Sequence, residues 1–359
     1  MDLATSPWMV RSLGEPVSCV VVGDNHEIFA GGWHGRLTAW DGDGRHQWST
    51  QTNDRVSSMA ITTDRIFVAN GLHLSALDRY TGANLWSIAL EGSADEVLWW
   101  QDGVLATSSV YDIEHNDFIE SALWKFTPEG EQIWLERFDE RPWRMVLVDN
   151  KVFVGLGRPR CGLLQLQSIT SFQHLESPSH SPITCGANAG TVALFGQTDG
   201  TVFSSEGKVL SVEKAAIEHL TKMVKGYIAT TDEGHAVGRN EEGVHCWESF
   251  GPPVTAQIQA FEDEQTATIW LARSQGVEGH VEVWATNRKE KLAVGNFGRV
   301  HSMHGTPQRA VLGCENGDVM VWDKDMLFRR INRQEPTPSE NIDDRASLLQ
   351  AKLRALRQG

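Results

Sequence analysis

Short runs of alternating apolar and polar residues, cut by Gly, Asn and Asp, recur along this chain at intervals near forty residues. Three copies place Gly, apolar, apolar and Trp at fixed offsets: Gly35-Arg36-Leu37-Thr38-Ala39-Trp40, Gly279-His280-Val281-Glu282-Val283-Trp284 and Gly317-Asp318-Val319-Met320-Val321-Trp322. Within each the apolar residues alternate with polar ones, the period of a half-buried strand. A second signature is a turn ending in Gly with Trp four residues on, at Gly44/Trp48, Gly82/Trp86, Gly130/Trp134 and Gly243/Trp247. Trp is rare enough that four matches at one spacing mark a repeat.

Read outward from these anchors, a new unit begins near residues 17, 56, 96, 144, 182, 216, 256 and 299. Unit one shows the plan, with strands expected at 18–22, 27–32, 36–41 and 45–50 joined by Gly, Asn and Asp turns. Four antiparallel strands per forty residues, repeated, predict a β-propeller, whose blades bury both faces against their neighbours only when the ring closes. The fold class is therefore all-β, an eight-bladed β-propeller, with seven blades as the other count because the turns of units five and six are weak. The ring is expected at 17–332, after an N-terminal extension at 1–16, with its last strand at 326–331.

Two families share these residues. Trp40-Asp41 and Trp322-Asp323 resemble the strand endings of WD-repeat proteins, and the run from Leu74 through Thr81-Gly82 to Leu85-Trp86 is similar to the tryptophan-docking repeat of quinoprotein-like (PQQ-like) propellers. That resemblance implies eight blades and implies that Trp48, Trp86, Trp134 and Trp247 lock neighbouring blades by packing an indole between sheets. Quinoprotein dehydrogenases would add a channel-bound quinone, a calcium ion and often a vicinal disulfide. No two cysteines are adjacent here, so no cofactor is expected and the chain is read as a non-enzyme.

Composition narrows the partners. With 32 Lys and Arg against 47 Asp and Glu, the formal charge of −15 repels phosphate backbones and anionic headgroups. One or more protein partners are expected, with no nucleic acid. No apolar run approaches the roughly 20 residues that span a bilayer, and the first residues lack the basic and apolar regions of a signal peptide. No membrane insertion and a cytoplasmic location follow as expectations. Cys19, Cys161, Cys185, Cys246 and Cys314 are widely spaced and odd in number, which suits free thiols.

Candidate chemistry is sparse. His301 and His304 fall on an expected innermost strand, where residues three apart point to opposite faces, so they read as structural rather than as a metal pair. No nucleophile elbow or phosphate loop occurs. The third unit carries an acidic insertion, residues 111–120, read as a solvated loop, a protein-contact loop or a weak cation site; it lacks the glycine and the final glutamate of an EF-hand. Propeller topology puts this insertion on the same face as Asp139-Glu140-Arg141-Pro142-Trp143-Arg144 and Gly157-Arg158-Pro159-Arg160. Arg141, Trp143, Arg144, Arg158 and Arg160 are of the types found at binding hot spots and form the candidate protein-binding group, although Trp143 could equally pack between blades.

After the ring, Pro336 and Pro338 mark a linker at 333–340. Asn341 then offers an N-cap for an amphipathic helix at 341–358, with Ile342, Ala346, Leu349, Leu353 and Leu356 at heptad spacing. So short a helix needs a surface to pack on. Its three destinations are its own ring, a second copy of itself, or a groove on another protein, with Leu349, Leu353 and Leu356 as the contact residues. The functional reading is a scaffold for protein–protein interaction and complex assembly that uses this helix to dock. The alternative reading is a propeller hydrolase or lyase, or a small-ligand or metal sensor, with its site at the channel mouth.

Overall fold

The computed structural model describes residues 1–114, 117–262, 267–286 and 290–334. It is an eight-bladed propeller in which every blade is a four-stranded antiparallel sheet. Blades 1 to 7 occupy residues 17–51, 56–89, 93–138, 142–175, 183–212, 217–250 and 254–298, each running from the innermost strand outward. Units five and six, despite their weak turns, each supply four strands. The innermost strand of every blade touches that of the next, all the way round.

Blade 8 is built differently. Strands Val300–Gly305, Arg309–Cys314 and Asp318–Asp323 provide three positions, and Met9–Ser12 from the N-terminus pairs with Asp318–Asp323 to provide the outermost one. Residues 1–16 are thus part of the ring and not an extension. Leu3 is fully buried, and its backbone N–H donates to the Val294 carbonyl of blade 7 at 2.8 Å. With the outer position taken, residues 326–331 have no sheet edge to join, and the expected last strand is instead helix Lys324–Gln334. Asp323 caps it by accepting from the Met326 N–H at 3.2 Å. Leu327, Phe328 and Ile331 lie on one helical face and pack on the core shared by blades 7 and 8. The linker expected at 333–340 yields its first two residues to this helix; the rest of it and the expected helix at 341–358, with Leu349, Leu353 and Leu356, lie outside the described residues.

The four Gly/Trp pairs sit at equivalent places. Each glycine takes a positive φ in the turn between third and fourth strands, where a Cβ would be strained. Each Trp pairs with the third-strand residue just before a β-bulge, as in Ala39↔Trp48 and Ala76↔Trp86. Trp48 is buried, while Trp86, Trp134 and Trp247 are half-buried. The Trp86 indole lies against Gly130 of blade 3, and its Nε1 donates to the Pro128 carbonyl at 2.8 Å. Trp134 packs on Phe172 of blade 4, and Trp247 stacks on Trp284 of blade 7 at 5.4 Å.

Candidate protein-binding surface

Innermost strands are sheet edges turned towards one another, and their unpaired backbone groups need partners. All eight innermost strands carry a β-bulge at the same place, directly after the first buried apolar residue. The bulged residues are Ser18, Ser57, Asp95, Trp143, Thr184, Glu218, Thr255 and His301. At three blades the hydroxyl stitches the ring. Ser18 donates to the Val56 carbonyl at 2.6 Å, Ser57 to that of Ala94 at 2.8 Å, and Thr184 to that of Ile217.

Blades 3 and 4 abandon the stitch at consecutive positions, with Asp95 and then Trp143. The junction closes through charges instead. Arg141 sits 3.7 Å from Asp95, which also accepts from the Ser109 hydroxyl at 2.5 Å. Glu96 pairs with Arg144 at 2.7 Å and accepts the Met145 N–H at 2.5 Å. Burial raises both carboxyls above their ordinary values, against the pull of the arginines, and burial also lowers Arg141. At Asp95 and Arg141 desolvation outweighs attraction at both ends, so the pair positions groups at a cost to stability rather than adding to it.

What it positions is an aromatic cluster. The Arg141 guanidinium lies 3.8 Å from the Phe118 ring centre and 3.9 Å from that of Trp143. Phe118 meets Trp143 edge-on at 6.2 Å and Tyr111 at 5.1 Å. Tyr111 and Trp143 remain 47% and 42% exposed, so the cluster is open to a partner. The acidic insertion carries it: residues 111–120 are mostly an extension of the hairpin formed by strands Gly103–Asp112 and Asp117–Phe126, not a loop. No metal-ligating cluster occurs among the described residues.

The second and third strands of blade 4 bring the remaining arginines alongside. Gly157 donates to the Arg141 carbonyl at 2.8 Å, and its Cα faces the Trp143 indole nitrogen. Arg158 and Arg160 follow, both exposed, and Arg160 borders a groove of about 350 Å³ lined also by Phe138, Glu140, Phe172 and His174. The structure therefore brings together Arg141, Trp143, Arg144 and Arg158 to Arg160. Sequence reasoning missed Asp95 and Glu96 and the aromatic part played by Tyr111 and Phe118. The signal for Asp95 was present in the residue that follows each unit's first buried apolar residue: Ser, Ser, Asp, Trp, Thr, Glu, Thr and His around the ring.

His301 and His304 do not converge. His301 lies edge-on to Trp33 at 5.6 Å and 3.6 Å from Glu315, whereas the His304 Nδ1 accepts from the Val22 N–H at 3.3 Å and joins blade 8 to blade 1. None of the five cysteines is in a disulfide, and burial pushes the thiols of Cys19, Cys185 and Cys314 up to about 12. No helix among the described residues is long and apolar enough to cross a membrane.

No protein-family model matches the chain, and no curated protein matches it in sequence. Solved structures match its fold. BamB from Moraxella catarrhalis superposes with a TM-score of 0.68 at 15% identity, over 89% of this chain and 97% of that one. Sqt1 from Saccharomyces cerevisiae gives 0.70 at 9% identity, over 89% and 98%. The WD40 β-propeller domain of Doa1 gives 0.54 at 12%, over 88% and 95%. At these identities the likeness is one of architecture, which hosts many unrelated functions.

Proposed function

We propose that this propeller is a non-catalytic platform that binds other proteins and assembles them, and that the junction of blades 3 and 4 is its principal docking surface. The observation that carries the reading is the Arg141 guanidinium held between the Phe118 and Trp143 rings on an exposed face. Stacking fixes the arginine before a partner arrives, which lowers the ordering cost of binding, and Trp, Tyr and Arg are the residue types that dominate interface energetics. Structural neighbours that include a WD40 domain fit such a role. Asp95 and Glu96 are committed to arginines, to Ser109 and to the Met145 amide, which leaves them as positioning groups rather than an acid–base pair. The segment at 341–358 is a second docking element, tethered through the helix that ends at Gln334, and the protein works without a cofactor in the cytoplasm.

The test is comparative capture of partners from the source cells. Tyr111→Ala with Trp143→Ala should lose proteins that the wild type retains, while Tyr80→Ala, an exposed aromatic on the opposite face, should keep them. An unchanged set of partners for the double variant removes this surface from the reading.

A further inference from the structure

The loop position just before each innermost strand carries arginine in three blades: Arg55 before Val56, Arg141 before Pro142 and Arg299 before Val300. Arg141 belongs to the surface described above. Arg55 and Arg299 stand on the same face at blades 2 and 8, either side of blade 1. Arg55 repeats the stacking, its guanidinium 3.8 Å from the ring centre of Trp33, a blade 1 residue that is 36% exposed. Trp33 in turn meets His301, the residue that replaces the hydroxyl stitch in blade 8. Neither Arg55 nor Arg299 has a carboxylate within ion-pair reach among the described residues, in contrast to Arg141 and Arg144.

We infer that Arg55, Arg299 and His301 form a carboxylate-binding site at the channel mouth between blades 8, 1 and 2, which takes an acidic side chain of a bound peptide while Trp33 supports its neighbour. The guanidinium fork matches a carboxylate in plane and donor spacing, and stacking on Trp33 holds the Arg55 fork ready. Charge favours a monoanion over phosphate. The charged groups that act on His301 are two guanidiniums and the single carboxylate of Glu315, and burial together with both arginines lowers the imidazole's own pKa. The thiol beneath Arg55, that of Cys19, is pushed up to about 12 and contributes no negative charge at neutral pH. A carboxylate brings one negative charge, whereas a phosphate monoester brings about −1.5 to −2 into a site that already faces Glu315 and, at the Arg55 amide, Asp54.

This inference rests on the platform reading only for the nature of the ligand, and its test is confined to blades 8, 1 and 2. Fluorescently labelled decaglutamate and decaglutamine peptides are titrated into the full chain and followed by anisotropy. A protein with a formal charge of −15 repels a polyanion in general, so retention of decaglutamate reports a local site. Decaglutamate should bind and decaglutamine should not. Arg55→Gln with Arg299→Gln should weaken binding by at least about tenfold, the size of one lost charge-assisted contact. Arg299→Gln alone, which unstacks no ring, should weaken it measurably, and Tyr80→Ala, on the opposite face, should leave it unchanged. The inference is overturned if the wild type fails to bind decaglutamate, if the double variant binds as the wild type does, or if inorganic phosphate displaces the peptide at lower concentration than the monocarboxylate butyrate does.

Discussion

The Trp48 indole of blade 1 seats on Gly82 of blade 2, with its Nε1 donating to the Arg79 carbonyl at 2.9 Å and its ring filling the space where a Gly82 side chain would stand. The glycine is needed twice over, for its φ of +69° and for the ring's approach. Substitutions separate the two requirements. Gly207→Ala, at φ +82° with nothing within 4 Å of the new Cβ, should report backbone strain alone, at least about 1 kcal/mol. Gly82→Ala should cost clearly more in urea melts. Trp48→Ala should cost roughly 3–5 kcal/mol, and Trp134→Ala less, because that indole is half-buried and rests on Phe172. Equal losses for the two glycines would mean that docking adds nothing.

Shortening the acidic hairpin tests a separation of fold from surface. Exchange of residues 112–119 for a Gly-Ser turn removes Phe118 from the Arg141 guanidinium but leaves the buried part of the sheet, from Val104 to Thr107, in place. The melting temperature should fall by no more than about 1.5 °C, the equivalent of roughly 1 kcal/mol in a chain of this size. Any partner of the blade 3 and 4 surface should be lost. A much larger fall in scanning calorimetry would show that the hairpin carries the ring, and a rise on adding calcium to the intact protein would revive the cation reading.

Ring closure at blades 8 and 1 should respond to acid through His304. Burial lowers its pKa from 6.5, and its Nδ1 accepts the Val22 N–H only while unprotonated. A histidine whose folded value lies below its unfolded one contributes stability that is present above about pH 6.5 and is lost as the pH falls through the folded value. Asp95 and Glu96, raised by burial, work in the opposite sense, since protonation relieves their cost. Comparison with His304→Gln isolates the histidine, because an amide oxygen can accept the same bond without titrating. Between pH 7 and pH 5 the wild type should lose more thermal stability than this variant. Parallel losses would assign the effect to other groups, with His219 the next to examine.

The positions of the blades were legible because they depend on local rules. A positive-φ glycine and a docking indole must recur at fixed offsets, and the eight expected unit starts fall within three residues of the observed strands. The outer strand of blade 8 was not legible. Met9–Ser12 carries no glycine or tryptophan signal and is defined only by pairing with Asp318–Asp323, at the far end of the described chain. Without that pairing, 326–331 read as the missing strand, although Asp323 and the spacing of Leu327, Phe328 and Ile331 suit a helix. The site divides in the same way. Arg141 and Trp143 are conspicuous by residue type, whereas Asp95 becomes meaningful only opposite Arg141, across a blade boundary.

The segment beyond Gln334 carries the last prediction. Leu349, Leu353 and Leu356 share one face if 341–358 is helical, and each leucine buried against a partner contributes roughly 1.5–3 kcal/mol. Changing all three to Asp would therefore abolish an interaction made through that face. The ring should be indifferent to the change, since helix Lys324–Gln334 is fixed independently by Leu327, which is 1% exposed, and by the Asp323 cap. Docking on a foreign protein predicts an unchanged melting temperature, an unchanged sedimentation coefficient, and loss of a copurifying partner. Docking on the chain's own ring predicts a lower melting temperature instead, and self-association predicts a wild-type dimer that the triple variant converts to monomer. Retention of every partner by the triple variant would remove this segment from the platform's docking elements and leave the blade 3 and 4 surface to act alone.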